Sequence, residues 1–230
     1  CIPDVVTADG SLAGTSKINA LSYFALGKYF KRKYKCKVKV GNDADCFALG
    51  EAMRGAGKGY DNVVGIIYGT GIGSGIILNK KIYAGTTGSA GEFGHNTIDP
   101  NGPKARNGMI GTVEAFAGGP DLIRNYKKLG GKMKNAGPGE ILRSKERAAK
   151  IAMGQNLTGL AKGLAQLMNI LNPGIIILGG GQSNMPIYRE INKLTKKYTV
   201  DGLRKYVKVV KNKLGDSAGI YGAVALIFEK

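Results

Sequence analysis

The chain has 230 residues, 43% of them hydrophobic, enough to bury a substantial core as one large domain or two small ones. Its formal net charge is +18, and its 37 glycines fall in short clusters between periodic segments, which excludes a collagen or linker type of repeat. No apolar run approaches a membrane span and no leader of signal-peptide form opens the chain, so a soluble, cytoplasmic protein is expected; three cysteines (Cys1, Cys36, Cys46), without metal-ligand or CxxC spacing, predict reduced thiols rather than disulfides.

In chain order, residues 1–12 read as loop and turn, with Pro3 and an Asp9-Gly10 pair. Residues 18–34 follow as a helix, because Ile18, Leu21, Phe24, Ala25, Leu26 and Phe30 recur at helical spacing and the end is rich in Lys and Arg. The run KYFKRKYKCKVK at 28–39 interleaves bases with aromatic rings. It has two readings, a nucleic-acid face or a solvated helix end leading into a strand, and the scatter of the other lysines favours the second. Residues 36–40 alternate as a short strand and stop at Gly41. Asn42 and Asp43 then precede a helix that carries Phe47, Leu49, Ala52 and Met53 to Gly55. Asp43 is either the N-cap of that helix or a base held at the end of a strand.

Residues 63–78, VVGIIYGTGIGSGIIL, read as strand, tight turn and strand, with β-branched runs at 63–68 and 75–78 and glycine at Gly69, Gly71, Gly73 and Gly75. Glycine lets a ligand approach the backbone, and the loop N–H groups with the Thr70 hydroxyl suit phosphate. A dinucleotide fingerprint is excluded, because a strand rather than a helix follows. A plain tight hairpin remains the other reading.

Residues 80–83 continue a strand, and 85–95 read GTTGSAGEFGH, with the single histidine three residues after Glu92. A glycine-studded loop carrying a carboxylate and an imidazole suits recognition of a polyol, since the carboxylate accepts from two hydroxyls. A second Gly/Pro/Asn loop spans 99–111, Glu114 opens a helical turn with Phe116, and 121–129 read as a short helix. From 146 to 171 runs a long helix whose stripe of Ile151, Leu157, Leu160, Leu164, Leu167, Met168 and Leu171 predicts core packing. The buried run 174–178 then leads into Gly179, Gly180 and Gly181, a second place where a nucleotide could lie on backbone. A helix at 186–198, a strand at 206–210 and an apolar helix at 218–229 complete an α/β pattern.

Taken in order, Asn42-Asp43-Ala44, Gly69-Thr70-Gly71-Ile72-Gly73, Ala90-Gly91-Glu92-Phe93-Gly94-His95, the segment from Gly111 to Glu114, Asn172-Pro173 with Leu178-Gly179-Gly180-Gly181, and Ala218-Gly219 with Gly222-Ala223 resemble the motifs of the ROK family of sugar kinases and sugar-responsive repressors. The resemblance spans nearly the whole chain. It implies an actin-like ATPase, ribonuclease H-like α/β fold of two lobes closing on a sugar and ATP. It further implies Asp43 as general base, Asn42, Glu92, His95 and Glu114 as binders of sugar hydroxyls, Gly69, Thr70, Gly71 and Gly73 as the phosphate loop, and Gly179, Gly180 and Gly181 beside the adenosine. The activity implied is an ATP- and Mg²⁺-dependent phosphoryl transfer to a hexose or N-acetylhexosamine, glucokinase-like, with a homo-oligomer possible.

Two departures qualify the resemblance. Many family members carry a CxCGxxGC zinc motif, and here Ala105, Asn107 and Thr112 stand at the cysteine positions, so no zinc is expected. The family's N-terminal phosphate loop has no counterpart, which predicts residues 1–41 as the end of the first lobe, 42–215 as the sugar- and nucleotide-binding lobe, and 216–230 as a helix returning to the first. On that expectation the first lobe is largely absent from this chain, and the chain alone is weakly active or inactive. The competing expectation is a sugar-sensing repressor of the same family whose DNA-binding module lies elsewhere. Retention of Asp43 and Thr70 favours the kinase, and no nucleic-acid or membrane partner is expected.

Overall fold

The computed structural model describes residues 1–7, 9–13 and 21–228. In chain order the helices are α1 (Leu26–Tyr34), α2 (Asp43–Arg54), α3 (Val113–Ala117), α4 (Gly119–Lys128), α5 (Pro138–Arg143), α6 (Arg147–Leu171), α7 (Tyr188–Tyr198) and α8 (Ala218–Phe228). The strands are β1 (Val63–Tyr68), β2 (Ile72–Leu78), β3 (Lys81–Ile82), β4 (Ile175–Gly179) and β5 (Val209–Lys211). Among the described residues no helix is long and apolar enough to cross a membrane. The chain divides into two compact units, one of Cys1–Ile66, Ser74–Gly91 and Asn212–Lys230, the other of Ile67–Gly73 and Glu92–Lys211.

The first unit is built around α2. Buried Phe47, Ala48 and Leu49 give the helix its apolar surface, and strands β3, β2 and β1 lie in that order, with Ile77 opposite Ile82 in an antiparallel pair. The strand and α8 both come to backbone distance of α2. A β-carbon at Gly75 would stand 2.3 Å from the Ala44 carbonyl oxygen, one at Gly50 2.1 Å from that of Ala218, and one at Gly222 1.7 Å from that of Cys46. At the far end of α2, buried Glu51 accepts hydrogen bonds from the backbone N–H groups of Ala56, Lys213 and Leu214 at 2.7 to 3.1 Å. The carboxylate thus ties the chain's last segment to the end of α2.

The strand expected at 36–40 does not form: among the described residues the pairing here is a single parallel bridge from Ile2 to Asn42. The helix expected from residue 18 begins at Leu26, because Tyr23 takes a left-handed φ of 58° and interrupts it; residues 14–20, Ile18 with them, lie outside the described residues. Strand β2 starts at Ile72, so Gly73 and Gly75 belong to the strand and not to the turn. The end of the final helix expected at Glu229 is also outside the described residues.

The second unit is organised on α6. Ala149, Ala152, Met153, Asn156, Leu160, Leu164 and Met168 recur at three- and four-residue spacing and are buried, whereas Ile151, off that stripe, is exposed. The end of β1, then β4 and β5 form its sheet, the last two parallel with Ile176 opposite Val209. Residues 201–206 coil into a 3-10 turn, which shortens the strand expected at 206–210. Helix α7 starts at Tyr188, two residues after Pro186, and α5 has no counterpart among the expected elements.

Tyr68, the last residue of β1, donates from its hydroxyl to Asn156 Oδ1 at 2.6 Å, and the Asn156 amide donates to the carbonyls of Phe116 and Ala117. Burial holds the Tyr68 hydroxyl well above its usual range, so it serves as a permanent donor. Asn156→Ala leaves the buried Tyr68 hydroxyl and the Phe116 carbonyl without their Asn156 partner, while the Ala117 carbonyl keeps Gln182; a loss of about 2 to 3 kcal/mol, seen as a lower denaturant midpoint, is expected. Gly222→Ala gains roughly 1 kcal/mol of helix propensity but drives a β-carbon into the Cys46 carbonyl, so a net loss of about 2 kcal/mol or more is expected in thermal unfolding. A rise in midpoint would show that α8 can withdraw from α2 at little cost.

Candidate functional site

In the second unit two glycine segments far apart in sequence meet. Residues 69–71 join β1 to β2, and Gly179 to Gly181 lead from β4 into a 3-10 turn, Gly181–Asn184. Gln182 Nε2 and the Gly119 N–H each donate to the Gly69 carbonyl at 2.9 Å. Gly69, Thr70, Gly181 and Gln182 line one cavity of about 900 Å³, completed by largely apolar walls that include Pro138, Leu142 and Met185. Arg143 stands at its edge, paired with Glu140 at 2.9 Å.

The other glycines of these motifs have packing reasons. A β-carbon at Gly71 would fall 2.8 Å from Glu114 Oε2, and one at Gly180, whose φ is +80°, would fall 2.8 Å from the Tyr68 carbonyl oxygen. Gly73 lies in β2 and Gly179 is the buried end of β4. Glu114, in the first turn of α3, is mostly buried. Its Oε2 accepts from the Ile72 N–H at 2.9 Å and its Oε1 faces Arg106 Nη2 at 3.4 Å. Arg106 Nη2 also donates to the Thr70 carbonyl at 3.1 Å, and its Nε lies 3.6 Å from the buried carboxylate of Asp121.

Glu92 precedes and His95 ends a 3-10 turn, Phe93–His95, held down by buried Phe93. Both side chains are partly exposed, with Glu92 Oε2 3.4 Å from His95 Nε2. The Asn107 amide lies 3.2 Å from His95 Nδ1, and its Oδ1 accepts from the Met109 N–H. A backbone N–H can only donate, so the Asn107 NH₂ faces the ring, Nδ1 accepts, and the neutral imidazole carries its proton on Nε2 toward Glu92.

The donors around this loop do not fit a zinc ion. Ala105 is buried and has no donor, Asn107 is engaged by His95 and Met109, and the Thr112 hydroxyl caps α3 by accepting from the Ala115 N–H. The loop is ordered instead by backbone hydrogen bonds, among them Ala105 N–H to Met109 O at 2.7 Å and Gly111 N–H to Pro103 O at 2.8 Å.

In the first unit, Asn42 is the N-cap of α2: its Oδ1 accepts from the N–H groups of Ala44 and Asp45, and its NH₂ donates to Asp4 O. Asp43 is thereby relieved of the capping position. It occupies the first turn, half-buried, with Oδ1 accepting from the Ala44 N–H at 2.9 Å. Arg106, Asn107 and Gln182 were not among the expected site residues. Gln182 had a signal, its place directly after Gly181; Asn107 had one in its place at a missing cysteine, and Arg106 had none.

A glucokinase of Thermotoga maritima is 32% identical over 211 residues, covering 84% of this chain and 67% of that protein. N-acetylgalactosamine kinase AgaK of a Shewanella species is 32% identical over 238 residues, covering 98% and 76%. Among solved structures, a ROK family glucokinase from Streptomyces griseus in complex with glucose and AMPPNP superposes with a TM-score of 0.80 at 27% identity, over 97% of this chain and 78% of that one. These neighbours have the actin-like ATPase fold. The ROK family model matches residues 1–230, and the chain belongs to the ROK family.

Proposed function

We propose that the protein is an ATP-dependent sugar kinase acting on a hexose or an N-acetylhexosamine. The observation that carries this reading is the meeting of the 69–71 loop with Gly181 and Gln182 on a single cavity, the two segments expected beside phosphates and adenosine. The apolar wall of Pro138, Leu142 and Met185 suits the base, and Gly69 with the exposed Thr70 suits the phosphates.

Glu92 and His95 would hold sugar hydroxyls, the carboxylate as acceptor and the imidazole through its Nε2–H, since Nδ1 is taken by Asn107. Glu114 would add a remaining lone pair of Oε1, and Asn42 the second hydrogen of its amide. Asp43 is the proposed general base. Its neighbour performs the cap and one of its oxygens is taken by Ala44, which leaves the other for a substrate hydroxyl. As that hydroxyl oxygen attacks the γ-phosphorus, its proton passes to the Asp43 carboxylate, the bond from the γ-phosphorus to the bridging oxygen breaks, and ADP departs. Mg²⁺ enters as part of the MgATP substrate.

The test is a coupled assay of hexoses and N-acetylhexosamines with MgATP on the full-length protein and on Asp43→Asn. Turnover of one sugar is expected, reduced by about 10²- to 10⁴-fold in the variant while sugar affinity measured by calorimetry is kept. Sugar binding without turnover on any substrate would replace this reading with that of a sugar-sensing regulator.

A further inference from the structure

Three successive carbonyls of the glycine-rich loop have partners within the second unit. Gly69 O accepts from Gly119 and Gln182, Thr70 O from Arg106, and Gly71 O from the Gly69 N–H at 3.1 Å. In a planar trans peptide the C=O of one residue and the N–H of the next point in opposite directions. Fixing the Thr70 carbonyl on Arg106 therefore fixes the Gly71 N–H on the side away from the guanidinium. Nothing in the local chain would otherwise hold this peptide, because glycine accepts either sign of φ and the plane can turn over. Arg106 is itself half-exposed, but Glu114 and Asp121 balance its charge, so it adds little net attraction for an anion.

We propose that Arg106 is a positioning residue for the phosphoryl donor, locking the Thr70-Gly71 peptide with its N–H set for phosphate. This rests on the kinase reading. Its guanidinium holds the peptide and the Glu114 carboxylate at once, so the 103–112 loop and the phosphate loop move as one piece. An ammonium, with a single nitrogen, cannot span the same three acceptors with fixed geometry.

The full-length protein, Arg106→Met and Arg106→Lys would be titrated with ADP and with adenosine, and backbone amide exchange followed without ligand. In Arg106→Met, ADP affinity is expected to fall at least about tenfold with adenosine affinity unchanged, as loss of a charge-assisted hydrogen bond predicts. Exchange at Ile72, whose N–H is held by the Glu114 carboxylate that Arg106 faces, should rise while that of β4 stays constant, and Arg106→Lys should recover only part of both effects. Unchanged exchange at Ile72, or equal changes for ADP and adenosine, would overturn the proposal, and full recovery by lysine would assign the effect to charge alone and overturn the peptide lock. A parent protein that binds neither ligand would sink the kinase reading, while the exchange comparison would still decide whether Arg106 holds the peptide.

Discussion

Glycines inside helices, where a neighbouring group occupies the space of a β-carbon, are the constraint on which the rest of this protein depends. Each such glycine costs about 1 kcal/mol of helix propensity relative to alanine. In α6 a β-carbon at Gly163 would meet Phe93 and Val113 at 2.7 Å, and one at Gly159 would meet Phe116 at 2.4 Å. These three residues are neighbours of the polar groups of the site: Phe93 lies between Glu92 and His95, and Val113 and Phe116 bracket Glu114. The apolar residues are seated in notches of α6, and the carboxylates and the imidazole are carried to fixed places by residues that never meet a substrate. In the first unit Gly50 and Gly222 do the same for α2 and α8, and so fix the helix that bears Asp43 at its first turn.

The electrostatics of the phosphate loop follow from dipoles more than from net charge. The chain carries +18 overall, yet around the loop Glu114 and Asp121 face Arg106 and Arg124 in a balanced group. Burial pushes the Asp121 carboxyl above its usual range, and the guanidinium groups of Arg124 and Arg106 oppose that shift. On the proposed kinase reading, such a site would recognise phosphate by oriented N–H groups, which distinguish its shape, rather than by a field that would attract any polyanion.

Much of this was legible in the sequence, for definite reasons. The long α6, the strand β1 and the helix after Asp43 have strong periods and capping residues, and the order of short motifs identified the family before any coordinate. The strand misplaced at 36–40 shows the limit of alternation, since a period of two becomes a strand only when a partner lies beside it, and pairing is a tertiary fact. Gly73 and Gly75 illustrate another limit: composition marks them as turn residues, while their role is to let β2 approach α2 or continue the strand. Ile151 matched an apolar pattern over a long helix but sits on the side of the helix roughly opposite the buried stripe, a distinction the eye loses when any apolar residue is accepted.

The histidine loop carries the last step. Its sequence holds no cysteine, and its geometry depends on the amide of Asn107. A zinc ion would take one nitrogen of His95 as a ligand and leave the other to donate. Here Asn107 donates to Nδ1 and is itself oriented by the Met109 N–H, so the tautomer is set by hydrogen bonds alone. The proton on Nε2 lies toward Glu92, which keeps the carboxylate an acceptor facing a donor and joins the two groups as a pair.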